Sequence, residues 1–130
     1  MVSVVVATHG EMANGIADSA NMLVGNVDKL KIISLKPGVN PDDFLKEVSD
    51  TIKKVDDGSG VLAFVDIFGG TPNNTLYRAA AETKTKLKII TGVNLPMILN
   101  VLTELDEDTK LEDIAQSIES FGKEQIKIFG

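Results

Sequence analysis

Residues 61–72 read Val61-Leu62-Ala63-Phe64-Val65-Asp66-Ile67-Phe68-Gly69-Gly70-Thr71-Pro72. The first five positions are apolar without interruption, so they lack the alternation of a half-exposed strand. A strand of this kind is buried on both faces, at the centre of a sheet covered by helices on either side. The run ends in an acid and two glycines, which signal a turn, and then in a Thr-Pro pair, which signals a helix start. Thr71 suits the N-cap and Pro72 the first helical position.

The same alternation of short apolar runs and longer amphipathic stretches extends in both directions. Residues 2–7 predict a first strand. Residues 12–23 predict a helix with Met12, Ile16, Ala20 and Leu23 at helical spacing and Gly25 as its stop. Residues 30–35 predict a second strand, broken off at Pro37-Gly38. A helix over 41–55 follows, with Asn40 as N-cap and Pro41 at its first position. Asp57-Gly58-Ser59-Gly60 is a turn into the central strand. Beyond it come a helix over 71–82, a strand over 87–90, and helices over 96–104 and 111–123. Gln125-Ile126-Lys127-Ile128-Phe129 alternates and reads as a short edge strand, in this sheet or in a partner's. A βαβαβαβ chain implies a three-layer α/β fold with a mostly parallel sheet and helices on both faces, and a doubly wound sheet of order 2-1-3-4 is the expected arrangement.

Bulk properties narrow the function. At 130 residues the chain is expected to form one domain over 1–130. Apolar residues at 43% and charged residues at 25% are those of a globular chain rather than a disordered one. No cysteine is present, which excludes a disulfide framework, a thiol nucleophile and a thiolate metal site. With a single histidine, only carboxylates remain to complete a metal site, so no metal and no cofactor are expected. A net charge of −6 and the absence of tryptophan argue against nucleic acid as a partner. No apolar run approaches the ~20 residues of a membrane span, and the short N-terminal run has no basic segment before it.

The one histidine, His9, follows the apolar run Val4-Val5-Val6-Ala7-Thr8 and precedes Gly10-Glu11. That places it at the C-terminal edge of the first strand, where ligands of such sheets bind. Imidazole is also the side chain that titrates nearest neutrality. In the order 2-1-3-4 the first and third strands are neighbours, so His9 and Asp66 meet at the switch point. If Asp66 accepts from Nδ1–H, the carboxylate fixes the tautomer and leaves Nε2 with a free lone pair as a nucleophile. Gly69 and Gly70 allow backbone to approach a ligand closely, and the helix beginning at Thr71-Pro72 offers free N–H groups to an anion. Taken alone, the glycine pair is first a turn and Thr71-Pro72 first a helix start. Together with His9 and Asp66 they describe phosphoryl transfer through phosphohistidine, with Thr8, Gly10, Gly69, Gly70 and Thr71 as candidate phosphoryl-binding positions. The glycine loop lacks the Lys-Ser/Thr ending of a P-loop, and no GxGxxG follows the first strand.

Three blocks carry a resemblance. They are Val5-Val6-Ala7-Thr8-His9-Gly10-Glu11-Met12-Ala13, Val65-Asp66-Ile67-Phe68-Gly69-Gly70-Thr71-Pro72-Asn73-Asn74, and Ile90-Thr91-Gly92-Val93-Asn94-Leu95-Pro96-Met97. In order, and over almost the whole chain, this pattern resembles the EIIA component of the mannose-family sugar phosphotransferase system. The resemblance implies a cytoplasmic relay that associates transiently with a membrane transporter. His9 would take a phosphoryl group from phospho-HPr and pass it to a histidine of EIIB, which serves the membrane components EIIC and EIID. Asp66 would orient His9, and Thr71 would help to hold the phosphoryl group. It further implies a homodimer, in which residues 126–129 can be the strand exchanged between subunits. Phe68 stands where relatives often have tryptophan, a change expected to alter partner packing more than chemistry. Sugar specificity would lie in the membrane components. Two other readings compete. A receiver-type signalling module carries a phospho-acceptor aspartate at the position of Asp66, but needs acids at the end of the first strand, where this chain has Thr8-His9. A phosphoryl donor of the dihydroxyacetone kinase type is the other, and His9-Gly10 in place of a His-Ser pair favours the sugar branch over it.

Overall fold

A computed structural model describes residues 1–130. The elements are β1 (Ser3–His9), α1 (Met12–Val24), β2 (Leu30–Leu35), α2 (Pro41–Val55), β3 (Val61–Val65), α3 (Thr71–Thr83), β4 (Leu87–Thr91), α4 (Leu95–Glu104) and α5 (Leu111–Glu124). The four strands form one parallel sheet in the order β2-β1-β3-β4, the three-layer α/β arrangement expected from the sequence.

Alternation along the two central strands builds the layers, since successive side chains point to opposite faces. Val4 and Val6 of β1 join Leu62 and Phe64 of β3 under α1, α4 and α5, in a core with Ile16, Ile98, Ile114 and Ile118. Val5 and Ala7 join Val61, Ala63 and Val65 under α2 and α3, with Phe44, Val48, Ile52 and Leu76. All five residues of β3 are buried, which is why its sequence shows no polar face.

Three boundaries differ from expectation in ways that matter for function. First, β1 runs on to His9, because His9 pairs with Leu35 of β2 and Gly10 N–H donates to the Leu35 carbonyl at 2.8 Å. The histidine is therefore held by sheet register rather than by a loop. Second, the N-cap of α3 is Gly70, one residue earlier than expected, with Thr71 and Pro72 inside the first turn. Third, residues 126–130 form no strand in this chain. The turn after α5 closes with weak bonds from Gln125 and Ile126 N–H to Gly122 and Lys123 carbonyls, and Ile126, Ile128 and Phe129 are exposed. A strand needs a neighbour to satisfy its backbone groups, and these residues meet none.

Helix α1 is started by the sheet. Its own N-cap, Glu11, makes no side-chain cap, and the Ala13 N–H instead donates to Thr8 Oγ1 at 2.8 Å. Thr8 is wholly buried at the end of β1. Replacing its hydroxyl by a methyl group keeps the shape and strands a buried N–H, so Thr8→Val should cost about 1–2 kcal/mol. Urea unfolding should show a lower midpoint with an unchanged slope; an unchanged midpoint would show that the cap carries no stability.

Candidate functional site

Parallel pairing of β1 with β3 sets the site. Ala7 lies opposite Val65, so His9 and Asp66 leave adjacent strands at the same edge. One carboxylate oxygen, Asp66 Oδ2, receives both the His9 backbone N–H at 3.0 Å and the ring Nδ1 at 2.8 Å. The other, Oδ1, receives the Ile67 N–H at 3.1 Å. The Asp66 backbone is fixed from the far side, where Gly92 N–H donates to its carbonyl at 3.1 Å.

The electrostatics follow from these bonds. Burial pushes the Asp66 carboxyl up, but the His9 backbone N–H and imidazole, aided by a local backbone N–H, outweigh it and hold the group below its ordinary value. An ionised carboxylate only accepts, so Nδ1 must be the donor, and Nε2 of the neutral ring keeps its lone pair. The histidine side chain is 45% exposed and that of Asp66 14%. The carboxylate is thus sheltered while the imidazole is partly open to solvent.

The segment after Asp66 brings a helix end to the ring. Gly69 sits at φ +77 and Gly70 packs against the imidazole. Asn74 Nδ2–H donates to the Gly69 carbonyl at 2.9 Å and ties the loop to α3. No side chain caps α3, whose first bond runs from Asn74 N–H to the Gly70 carbonyl. The N–H groups of Thr71 and Asn73 are left without a helical partner, and Pro72 has none to offer. By contrast, Asn40 caps α2, Asn94 caps α4 and Thr8 supplies the cap of α1.

Of the candidate residues, His9, Asp66, Gly69, Gly70 and Thr71 come together. Thr8 and Gly10 do not join them. The Thr8 hydroxyl is buried and occupied by Ala13, and the Gly10 N–H is occupied by Leu35. Neither could be seen from sequence, because a residue beside His9 along the chain points to the opposite face of the strand or into its neighbour. Asn74 was not singled out as a site residue. The signal for it was weak, an amide side chain four residues into a segment that begins with a helix start.

The surface around His9 is open. The larger grooves lie elsewhere: one of about 870 Å³ bounded by Ser59, Lys86 and Leu111, one of about 740 Å³ between α3 and β4, bounded by Phe68 and Tyr77, and one of about 650 Å³ between β4 and α5. None of the three includes His9 in its walls. Ile67 and Phe68, beside the site, are exposed apolar side chains.

Comparison with known proteins places the chain in a family. Residues 3–119 match the family model EIIA-man, described as the PTS system fructose IIA component. The chain belongs to the EIIA family of the mannose-type sugar phosphotransferase system. It is 30% identical over 126 residues to the mannose-specific EIIAB component of Escherichia coli strain K12, covering 97% of this chain and 39% of that protein. The chain therefore spans well under half the length of this EIIAB relative. It is 28% identical over 128 residues to the fructose-specific EIIA component of Bacillus subtilis, covering 98% of this chain and 86% of the relative. The mannose/sorbose-specific IIA subunit of Enterococcus faecalis superposes with a TM-score of 0.86 at 21% identity, covering 99% of this chain and 95% of that one, a likeness of fold. The EIIA fold thus accounts for the sheet order and for the five helices.

The depressed Asp66 carboxyl makes a prediction about acid stability. A group held ionised by the fold stabilises it above its ordinary value, about pH 4. That contribution is lost as pH falls through the lower folded-state value. Below about pH 4 the urea midpoint of the natural chain should therefore fall more steeply with pH than that of Asp66→Asn. Parallel slopes would mean that Asp66 is not held ionised by the fold.

Proposed function

We propose that this chain is the phosphoryl carrier of a sugar phosphotransferase system. His9 Nε2 accepts a phosphoryl group from phospho-HPr and passes it to a histidine of an EIIB component, which serves the membrane components EIIC and EIID. The observation that carries this reading is the 2.8 Å Nδ1–Asp66 bond on a half-exposed ring, beside the one helix start at this edge that no side chain caps.

The step balances without a further reactant. The Nε2 lone pair forms a bond to phosphorus as the donor's N–P bond breaks, and that electron pair stays on the donor imidazole. The positive charge that His9 acquires is met by Asp66 through Nδ1–H. The equatorial oxygens would lie within the field of the α3 N-terminus, where Thr71 is exposed and the Thr71 and Asn73 N–H groups have no helical partner. Donor and acceptor are both phosphohistidines, so the transfer runs near balance. An open surface suits this chemistry better than a substrate pocket, since the reacting partner is another protein. Docking on the apolar rim of Ile67 and Phe68 would exclude water from the transfer. No helix here is long and apolar enough to cross a membrane, in keeping with a cytoplasmic relay that meets its transporter transiently.

The receiver-type alternative is disfavoured. Its acceptor carboxylate would be Asp66, which is engaged by the His9 and Ile67 N–H groups and by the ring. Purified phospho-HPr should label the natural chain and not His9→Ala, while Asp66→Ala should remain folded and slow transfer by about 10²–10⁴-fold. The label should be lost in acid and kept in base. A label that survives acid and fails in base would place the phosphoryl group on a carboxylate instead.

A homodimer is part of the proposal. The outer edge of β4 has no strand beside it, and the tail exposes Ile126, Ile128 and Phe129. An unpaired edge is a template for another chain's strand. Deleting residues 126–130 should convert a sedimenting dimer to a monomer with an unchanged far-ultraviolet spectrum; a truncated chain that still sediments as a dimer removes the tail from the interface.

A further inference from the structure

We propose that Gly70 is the seat of the His9 imidazole, a positioning residue kept bare so that the ring can lie against its Cα. The functional importance of this seat rests on His9 being the phosphoryl acceptor; the seat itself rests on geometry alone. Gly70 has φ −73 and ψ 173, an extended conformation open to any residue. Its backbone does not call for glycine. As the N-cap of α3 it occupies a position where Ser, Thr, Asp or Asn would satisfy the helix end and stabilise it.

Space explains the choice. A Cβ on Gly70 would stand 3.0 Å from His9 Cε1, 3.0 Å from Ile67 Cγ1 and 3.2 Å from Ile67 Cδ1. Gly10 and Gly69, on the same rim, differ in kind. They sit at φ +59 and +77, and a Cβ on either would meet nothing within 4 Å. Glycine at those two positions serves the turn, and at Gly70 it serves the ring.

Cε1 is bonded to both ring nitrogens, so a contact there governs the direction of each. Asp66 holds the ring at Nδ1 and Gly70 supports it at Cε1. Together they define the ring plane and the line along which Nε2 presents its lone pair. Because His9 is half exposed, an added methyl group can push the ring toward solvent without unfolding the chain, and the Nδ1–Asp66 bond then lengthens or breaks. A contact of 3.0 Å is relieved by a shift of a few tenths of an ångström, and since misplacement of a reacting atom by about 1 Å costs on the order of 10²-fold in rate, this smaller shift costs less than that.

Gly70→Ala should therefore keep the far-ultraviolet spectrum and backbone amide pattern of the natural chain. Its His9 ¹⁵N resonances, recorded above neutrality, should move from a ring protonated at Nδ1 toward the mixture of a free imidazole. Labelling by phospho-HPr should slow measurably, by less than about 10²-fold. The crowding of Ile67 is separated by comparing Ile67→Ala with the double variant Ile67→Ala/Gly70→Ala. If the ring contact is the cause, the second still shows the altered tautomer and slow labelling relative to the first. Recovery in the double variant would overturn the proposal, as would natural ¹⁵N shifts and rate in Gly70→Ala. Should Gly70→Ala not fold, the natural chain decides: a nuclear Overhauser contact between His9 Hε1 and the Gly70 α-protons is expected, and its absence refutes the seat. If the natural chain takes no label at all while that contact is present, it is the acceptor reading of His9 that fails, and the seat stands.

Discussion

β1 and β3 lie side by side at the middle of the sheet, and the side chains of both are buried above and below. Backbone N–H and C=O groups in such a place have no water to turn to, so they must pair across the strands. That requirement holds β1 and β3 in one register, with Val4 opposite Leu62 and Ala7 opposite Val65. Each strand serves both faces at once, so a slip would disturb two cores together. The position of everything at the C-terminal edge follows from this pairing. His9 and Asp66 are 57 positions apart in the chain and arrive at the edge one beside the other.

The local bonds at that edge then convert proximity into a defined chemical state. The two donors that His9 sends to Asp66 Oδ2 come from different parts of the residue, one from the backbone and one from the ring. The backbone bond belongs to the strand end and keeps the carboxylate in place, and the ring bond uses that placement. Asp66 remains ionised despite its partial burial because these donors outweigh the desolvation. The rest of the site is arranged by subtraction. α1, α2 and α4 receive side-chain caps, while α3, beside the ring, receives none. Bare Gly70 leaves room for the imidazole and supplies no cap.

Much of this was legible from residues alone. The unbroken apolar run 61–65 announces a central strand, and the alternation of elements announces a parallel sheet, whose order 2-1-3-4 is that of a doubly wound fold. The meeting of His9 with Asp66 follows from that order, and the fold brings the two into hydrogen-bond contact. The differences share one origin. Thr8 and Gly10 flank His9 along the chain, yet the Thr8 hydroxyl is buried under α1 and the Gly10 N–H is bound to β2. The start of α3 at Thr71 agrees with the sequence, and only its N-cap differs, Gly70 in place of Thr71, since Thr is a strong cap and local preference does not favour a glycine there. The tail 125–129 has a strand's alternation, but no strand of this chain lies beside it, and alternation without a neighbour does not make a ladder.

Local pattern by itself determined which segments are strands and helices, which faces they bury, and that a lone histidine and an aspartate lie at strand ends. Periodicity and turn chemistry act over a few residues, so they can be read from a few residues. Only the tertiary structure decided which polar groups at that edge are spent and which remain free. Whether a donor is available depends on what packs against it, and the partners of Thr8, Gly10 and Asp66 come from other elements of the chain. The same holds for Gly70. Its backbone would accept any residue, and the ring that a side chain there would crowd comes from a strand on the other side of the switch point.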